Sequence, residues 1–270
     1  MIMRHQGSVI AGGHLATEQR PLDVVLSLVP EAQRAARAML GRIARIALLE
    51  PGSSIVDVGA SQGLFVAACA RMGYRAVGVE PWSDARAMAY EVAAHEGLVV
   101  EMLDGCAEAL PLQSESIDVV RANSVIEHVT DVDAAFAEAF RVLKPGGVFW
   151  FATASSLCPR QGEIRGFPAF GWYPDPLKRH IMIWAKERRP DLIGGTAFPA
   201  LHWFTPAKAR RLLWRAGFVR VYDRWDLRLP SEGGRLYKLL LLAIRSSSLT
   251  KLLADLLVPC CSFAAIKPRA

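Results

Sequence analysis

Ser54-Ile55-Val56-Asp57-Val58-Gly59-Ala60-Ser61-Gln62-Gly63 is the stretch on which the reading of this chain turns. Its first five residues are mostly β-branched and make a short strand, and the small residues after them make a tight turn. An Ala-rich helix follows over Leu64–Met72. The same rhythm continues downstream. Arg75–Glu80 reads as a second strand, and a helix runs to His95 with Ser83 as its cap. Leu98–Leu103, Ile117–Ala122 and Val148–Thr153 read as further strands, with a helix opening at Asp131 and a turn at Lys144–Gly147. Strands this apolar, alternating with helices, indicate an α/β fold with a parallel sheet covered on both faces.

Upstream, the helical spacing of Ala, Leu and Ile predicts a helix from Pro30 to Glu50, with Arg34, Arg37, Arg42 and Arg45 on its outer face. Residues 1–29 read as an N-terminal arm or lid, and 30–154 as the core. The stretch 155–204 is rich in Pro, Gly and aromatics, which suits an inserted pocket wall. Thr205-Pro206 starts a helix that Gly217 ends, Phe218–Leu229 reads as a long strand, and a last strand lies near Cys261–Lys267. Residues 205–270 complete the same domain. Within them, 235–258 is helical and so rich in Leu that it must be buried in a core, in a subunit interface or at a membrane surface. Arg235, Lys238, Arg245 and Lys251 alongside those leucines suit an anionic lipid surface.

The 270 residues are 52% hydrophobic and 21% charged, which excludes a disordered or disulfide-dense chain. The net charge of +6 is unevenly spread: residues 1–155 hold 12 Lys/Arg and 18 Asp/Glu, residues 156–270 hold 20 and 8. The net charge suggests an anionic partner, and the two halves, of opposite charge, are expected to face different partners. The five cysteines form no C-x-x-C pair and read as reduced thiols of a cytoplasmic protein. The N-terminal residues carry no apolar signal segment, and the longest apolar runs fall short of the ~18–20 residues that span a bilayer.

Small residues at Gly59–Gly63 let a ligand approach the backbone at the C-terminal edge of the sheet, and Glu80 at the end of the second strand can accept from both hydroxyls of a ribose. Asp104, in Asp104-Gly105-Cys106-Ala107-Glu108-Ala109-Leu110-Pro111, can accept from a purine amine. Asn123-Ser124-Val125-Ile126-Glu127-His128-Val129 and Val142-Leu143-Lys144-Pro145-Gly146-Gly147 complete an ordered set. The set resembles the class I S-adenosylmethionine-dependent methyltransferases, over about residues 30–153 and, through the helix after Thr205, to about 218. The resemblance implies a Rossmann-like seven-stranded sheet, mostly parallel with helices on both faces and the last strand antiparallel. It implies S-adenosyl-L-methionine as cofactor and S-adenosyl-L-homocysteine as product. Gly59, Ala60, Ser61 and Gly63 would line the methionine part, with Asp57 shaping the loop. Glu80 would hold the ribose, Pro81 and Trp82 would flank the adenine, and Asp104, Gly105 and Cys106 would read its edge. Asn123 and Ser124 would sit near the sulfonium. Ser61 at the second glycine position argues against a dinucleotide.

Candidate bases are His202, which otherwise pins the insertion to the sheet, and His128, whose place in Glu-His-Val is equally structural. Tyr173 and His180 are candidate acceptor contacts beside plainer readings as a turn and a surface residue, and Trp203 is a further candidate contact. Metal is not expected: Thr153-Ala154-Ser155 stands where metal-using relatives need Asp-Asn. The expected acceptor is a small molecule, lipid or lipid-linked glycan, methylated on oxygen or nitrogen; peripheral contact at the inner face of a membrane through 235–258 stands as one reading of that segment, beside core and interface. DNA is not expected, since no Asn-Pro-Pro-Tyr motif is present; RNA is disfavoured by the lack of an appended binding module. A non-catalytic scaffold would predict a damaged loop, but Gly59, Gly63, Glu80 and Asp104 are intact. The sequence leaves the oligomeric state open.

Overall fold

The computed structural model describes residues 21–193 and 199–269; residues 1–20 of the expected arm at 1–29 and residues 194–198 of the insertion lie outside these. The chain begins with α1 (Leu22–Ser27) and α2 (Val29–Ile43), and then alternates β1 (Ser54–Val58), α3 (Leu64–Arg71), β2 (Arg75–Val79), α4 (Ser83–His95) and β3 (Glu101–Leu103). It continues with β4 (Ile117–Asn123), α5 (Val132–Val142) and β5 (Leu143–Ala154). The insertion contributes α6 (Asp175–Arg188). After it come α7 (Pro206–Arg215), β6 (Arg220–Asp223), α8 (Arg224–Leu227), α9 (Arg235–Arg245), α10 (Ser248–Asp255) and β7 (Cys260–Ile266).

Among the described residues the sheet has seven strands in the order β3-β2-β1-β4-β5-β7-β6. Strands β1 to β5 pair in parallel, and β7 alone runs against both its neighbours. Each face of the sheet carries its own core. On one, Phe149, Phe151 and Phe263 stack at 5.0 and 5.3 Å, and Phe136 of α5 meets Phe149 edge-on at 5.4 Å. On the other, Met39, Leu40 and Ile43 of α2 and Phe65 of α3 pack on Ile55, Val119 and Trp150.

Local chemistry sets most boundaries. The Asp131 carboxylate accepts from the Ala134 amide at 3.0 Å, and the Thr205 hydroxyl from the Lys208 amide at 3.1 Å, so α5 and α7 start where capping residues stand. Five expectations are corrected. Ser83 does not cap α4: its hydroxyl faces Asp84, and Trp82 is the flanking residue. Helix α2 stops at Ile43, where tightened turns bring Ile46 and Leu49 back onto the core. The third strand starts at Glu101. Residues 144–147 are irregular members of β5, with Gly146 bonded to Lys267 across the strand pair. The long strand at 218–229 ends at Asp223, whose carboxylate accepts from the Trp225 and Asp226 amides and starts α8 instead.

The Leu-rich segment forms the pair α9–α10, and its sidedness is inverted. Leu241 is its one buried leucine among the described residues, while Leu236, Leu239, Leu240, Leu242, Leu249, Leu252, Leu253 and Leu257 are exposed. Polar groups attach it to the body. Arg245 donates to the carbonyls of Trp225, Asp226 and Arg228; Lys251 pairs with Asp223 and Asp226; and the Trp225 indole N–H donates to Asp255 at 2.8 Å. Arg245 and Lys251, read in the sequence as lipid-facing, therefore turn inward. Arg235 and Lys238 stay exposed.

Candidate functional site

The ends of β1, β2 and β3 converge on one edge. After Val58 the chain turns back at once: the Gly59 and Ala60 amides both donate to the Val79 carbonyl, at 2.8 and 3.2 Å. Gly59, Ser61 and Gly63 all adopt left-handed backbone conformations. At Gly59 a side chain has no room, since a Cβ there would lie 2.4 Å from Val125 Cγ2. The Glu80 carboxylate holds this turn from below. It accepts from the Ser61 amide at 2.8 Å and the Trp82 amide at 3.2 Å, while the Glu80 amide donates to Leu103 at 3.0 Å. Burial pushes the Glu80 carboxyl up, against the pull of these amides and of Arg86. Arg86 ties the edge together, donating to the Glu80 carbonyl at 2.6 Å and to Asp104 at 3.2 Å.

The structure thus brings Gly59, Ala60, Ser61, Gly63, Glu80, Pro81, Trp82 and Asp104 to one place. The Asp104 side chain is 74% exposed and free to accept. Trp82 is also exposed, beside it at the start of α4. Gly105 packs against Pro111 and Val79, and the Cys106 backbone bridges to Ala109. Asn123 and Ser124, exposed at the end of β4, form the neighbouring lip. Asp57 lies beneath the loop, 2% exposed, and its cross-strand neighbour Arg121 donates to it. Burial raises the Asp57 carboxyl and Arg121 opposes that. The Arg121 guanidinium also covers the Phe65 ring, 4.1 Å from its centroid.

The candidate bases lie beyond β4. The His202 amide donates to the Glu127 carbonyl at 3.1 Å, and its Nε2 lies 3.0 Å from the Val129 carbonyl. A carbonyl only accepts, so Nε2 carries the hydrogen and the neutral ring keeps its lone pair on Nδ1. Burial, aided by Arg179, holds His202 below the usual histidine range. His128 is half-buried one residue from this contact. In the insertion Tyr173 is half-buried and His180 is exposed. Trp203 departs from its expected role as an acceptor contact: it is 1% exposed, packed on Phe170 at 6.0 Å and capped by the Lys178 ammonium at 4.3 Å. Lys178 itself is buried, its ammonium 2.8 Å from an Asp175 carboxylate oxygen. The described residues contain no cluster of metal-ligating side chains.

Two features were given no role by the sequence reading. Arg121 is visible there only as one charge inside an apolar strand. Glu127 is 4% exposed and accepts the Thr153 hydroxyl at 2.8 Å, and its carbonyl holds both Leu201 and His202. Burial raises its carboxyl to about 7. Between 4.5 and about 7 the folded chain keeps a proton that the unfolded chain releases. The stability this proton contributes is complete below 4.5 and drains away as the pH rises through 7. Glu127→Gln is expected to gain about 1–3 kcal/mol over the unaltered chain at pH 8 and little at pH 5, by urea unfolding at both; an equal change at both pH values would refute the assignment.

A family profile described as a methyltransferase domain matches residues 56–151. The chain is 36% identical over 160 residues to the ubiquinone biosynthesis O-methyltransferase of Chelativorans sp. (strain BNC1), which covers 57% of this chain and 60% of that protein. It is 32% identical over 178 residues to an uncharacterized methyltransferase of Mycobacterium sp. (strain JLS), covering 64% and 68%. Several of the ubiquinone biosynthesis relatives are matched over less than two thirds of their own length. Among solved structures the fold is similar to Haemonchus contortus phosphoethanolamine N-methyltransferase 2 in complex with S-adenosyl-L-methionine, with TM-score 0.55 and 18% identity over 85% of this chain and 52% of that one. With the loop, acid and lip residues set along one sheet edge, the chain belongs to the class I S-adenosylmethionine-dependent methyltransferases.

Proposed function

We propose that the protein moves a methyl group from S-adenosylmethionine to an oxygen of a small or lipid-borne acceptor. The observation that carries this reading is the convergence of Gly59, Glu80 and Asp104, tied by Arg86 and the Ser61 amide. The donor set suits an adenosyl ligand. Glu80 accepts one backbone bond on each oxygen and keeps further lone pairs for ribose hydroxyls, Asp104 is exposed for an exocyclic amine, and Trp82 stands beside it. The cofactor supplies, when bound, an electrophilic methyl on sulfur, which leaves by in-line displacement with the bonding pair staying on sulfur.

The chain's own work is alignment and proton removal. His202, neutral and with its lone pair on Nδ1, is the proposed base for an acceptor hydroxyl. Val129 and the Glu127 carbonyl hold it against the loop after β4. An oxygen acceptor is further supported by the ubiquinone biosynthesis O-methyltransferase relatives.

The exposed leucines of α9 and α10, with Arg235 and Lys238 beside them, support a second part of the proposal: this face rests on an anionic membrane surface. No helix among the described residues is long and apolar enough to cross a membrane.

Titration calorimetry tests the core of the reading. S-adenosylhomocysteine is expected to bind with measurable heat, and Gly59→Ala to weaken it at least tenfold, because the new Cβ meets Val125 and strains a left-handed residue by about 1–3 kcal/mol. Absence of heat with the unaltered chain would remove the reading.

Flotation tests the membrane face. The chain is expected to rise with phosphatidylglycerol vesicles. A triple Leu236→Ser, Leu239→Ser, Leu253→Ser variant is expected to stay below, since each leucine forfeits about 1.5–3 kcal/mol of burial. A chain that stays below unaltered would sink the proposal.

A further inference from the structure

Asn123, at the end of β4, borders a cavity of about 220 Å³ whose wall carries four guanidinium groups: Arg42, Arg121, Arg224 and Arg228. No carboxylate lines it. Three of the arginines are answered from outside the wall. Asp57 pairs with Arg121, and Glu232 is shared between Arg42 at 2.7 Å and Arg228 at 3.6 Å. Arg224 makes no close ion pair among the described residues, although the Asp255 carboxylate lies within its electrostatic reach; it donates to the Cys260 carbonyl at 2.6 Å and lies 3.5 Å from Cys260 Sγ. The wall therefore keeps a surplus of positive charge, in a concave place where the field of each charge is poorly screened.

The rest of the lining is mostly apolar, with Phe65 and Trp150 as its largest members and Asn123 and Ser262 as its polar ones. A cavity below the ~300–1,000 Å³ of drug-sized sites suits a small head rather than a long molecule. Guanidinium forks bind carboxylate and phosphate through two N–H groups at once. None of the lining residues comes from 155–204, the stretch that the sequence marks as the acceptor wall. Asn123 is common to the cavity and to the edge that carries Gly59 and Glu80.

We propose that this cavity seats the anionic end of the methyl acceptor, a carboxylate or phosphate gripped by Arg224 and Arg228 beside an apolar ring or chain, while the hydroxyl that takes the methyl group lies beyond the cavity. The inference rests on the methyltransferase reading and adds the charge class of its substrate. The same anion can belong to a soluble molecule or to a lipid headgroup, and two probes separate these sources.

The experiment is calorimetry on the full chain saturated with S-adenosylhomocysteine. Phenyl phosphate and benzoate are expected to bind at least tenfold tighter than benzyl alcohol. Arg224→Ala and Arg228→Ala are each expected to weaken the anions at least tenfold while leaving S-adenosylhomocysteine affinity within twofold, which also shows that both variants are folded. Monomeric dihexanoyl phosphatidic acid binding tighter than phenyl phosphate, and lost in both variants, assigns the anion to a lipid; weaker binding assigns it to a soluble acceptor. Equal binding of benzyl alcohol, or anion binding unchanged in both variants, overturns the proposal. So does loss of S-adenosylhomocysteine affinity in the arginine variants, since these side chains would then hold the cofactor's own carboxylate. An unaltered chain that binds no S-adenosylhomocysteine removes the underlying reading instead, so the two failures are distinct.

Discussion

The Glu80 carboxylate on the Ser61 amide is the contact around which this site is organised. A chain leaving β1 must reverse within a few residues to start α3, and the reversal requires left-handed backbone at Gly59, Ser61 and Gly63. Such a turn exposes amides without strand partners, and a buried amide must find an acceptor. Glu80 is that acceptor, brought within reach because β2 is the neighbour of β1 and ends at the same height. The same carboxylate is then fixed at the sheet edge with lone pairs to spare. Loop shape and ligand chemistry are therefore one constraint, and Arg86 extends it to Asp104 on the next strand.

A second constraint lies under the loop. Asp57 and Arg121 are register partners on β1 and β4, buried on the α2–α3 face. A buried carboxylate is costly unless paired, and the pair satisfies it. It also places a guanidinium in the floor of the cavity and a cation on the Phe65 ring. The negative first half of the sequence thus contributes positive groups where the chain folds against its basic second half.

Much of this was legible in the sequence because it is local. Gly59–Gly63, Glu80 and Asp104 announce themselves by spacing along successive strands, and Asp131 and Thr205 by preceding helical patterns. What was not legible depends on distant partners. Asp223 ends a strand because its carboxylate caps α8, although Phe218–Leu229 alternates well enough for a long strand. Trp203 looks like a pocket aromatic until Lys178 and Phe170 close over it. The cavity draws on α2, α3, β4, β5, β7 and α8, so no window of sequence contains its charge set. The burial of Glu127 has a faint local trace, a lone acid in Ser-Val-Ile-Glu-His-Val, but its raised carboxyl comes from packing by the insertion.

The inverted hairpin bears on the cavity through α8. Helices normally dock by their apolar faces, yet α9 and α10 dock through Arg245, Lys251 and Asp255 and leave their leucines outward. Arg245 reaches three carbonyls of α8 and its end, the element that carries Arg224 and Arg228 into the cavity. Polar bonds of this kind fix direction more tightly than apolar contact, which tolerates sliding. A surface that bears on the leucines consequently bears on the segment holding the two arginines.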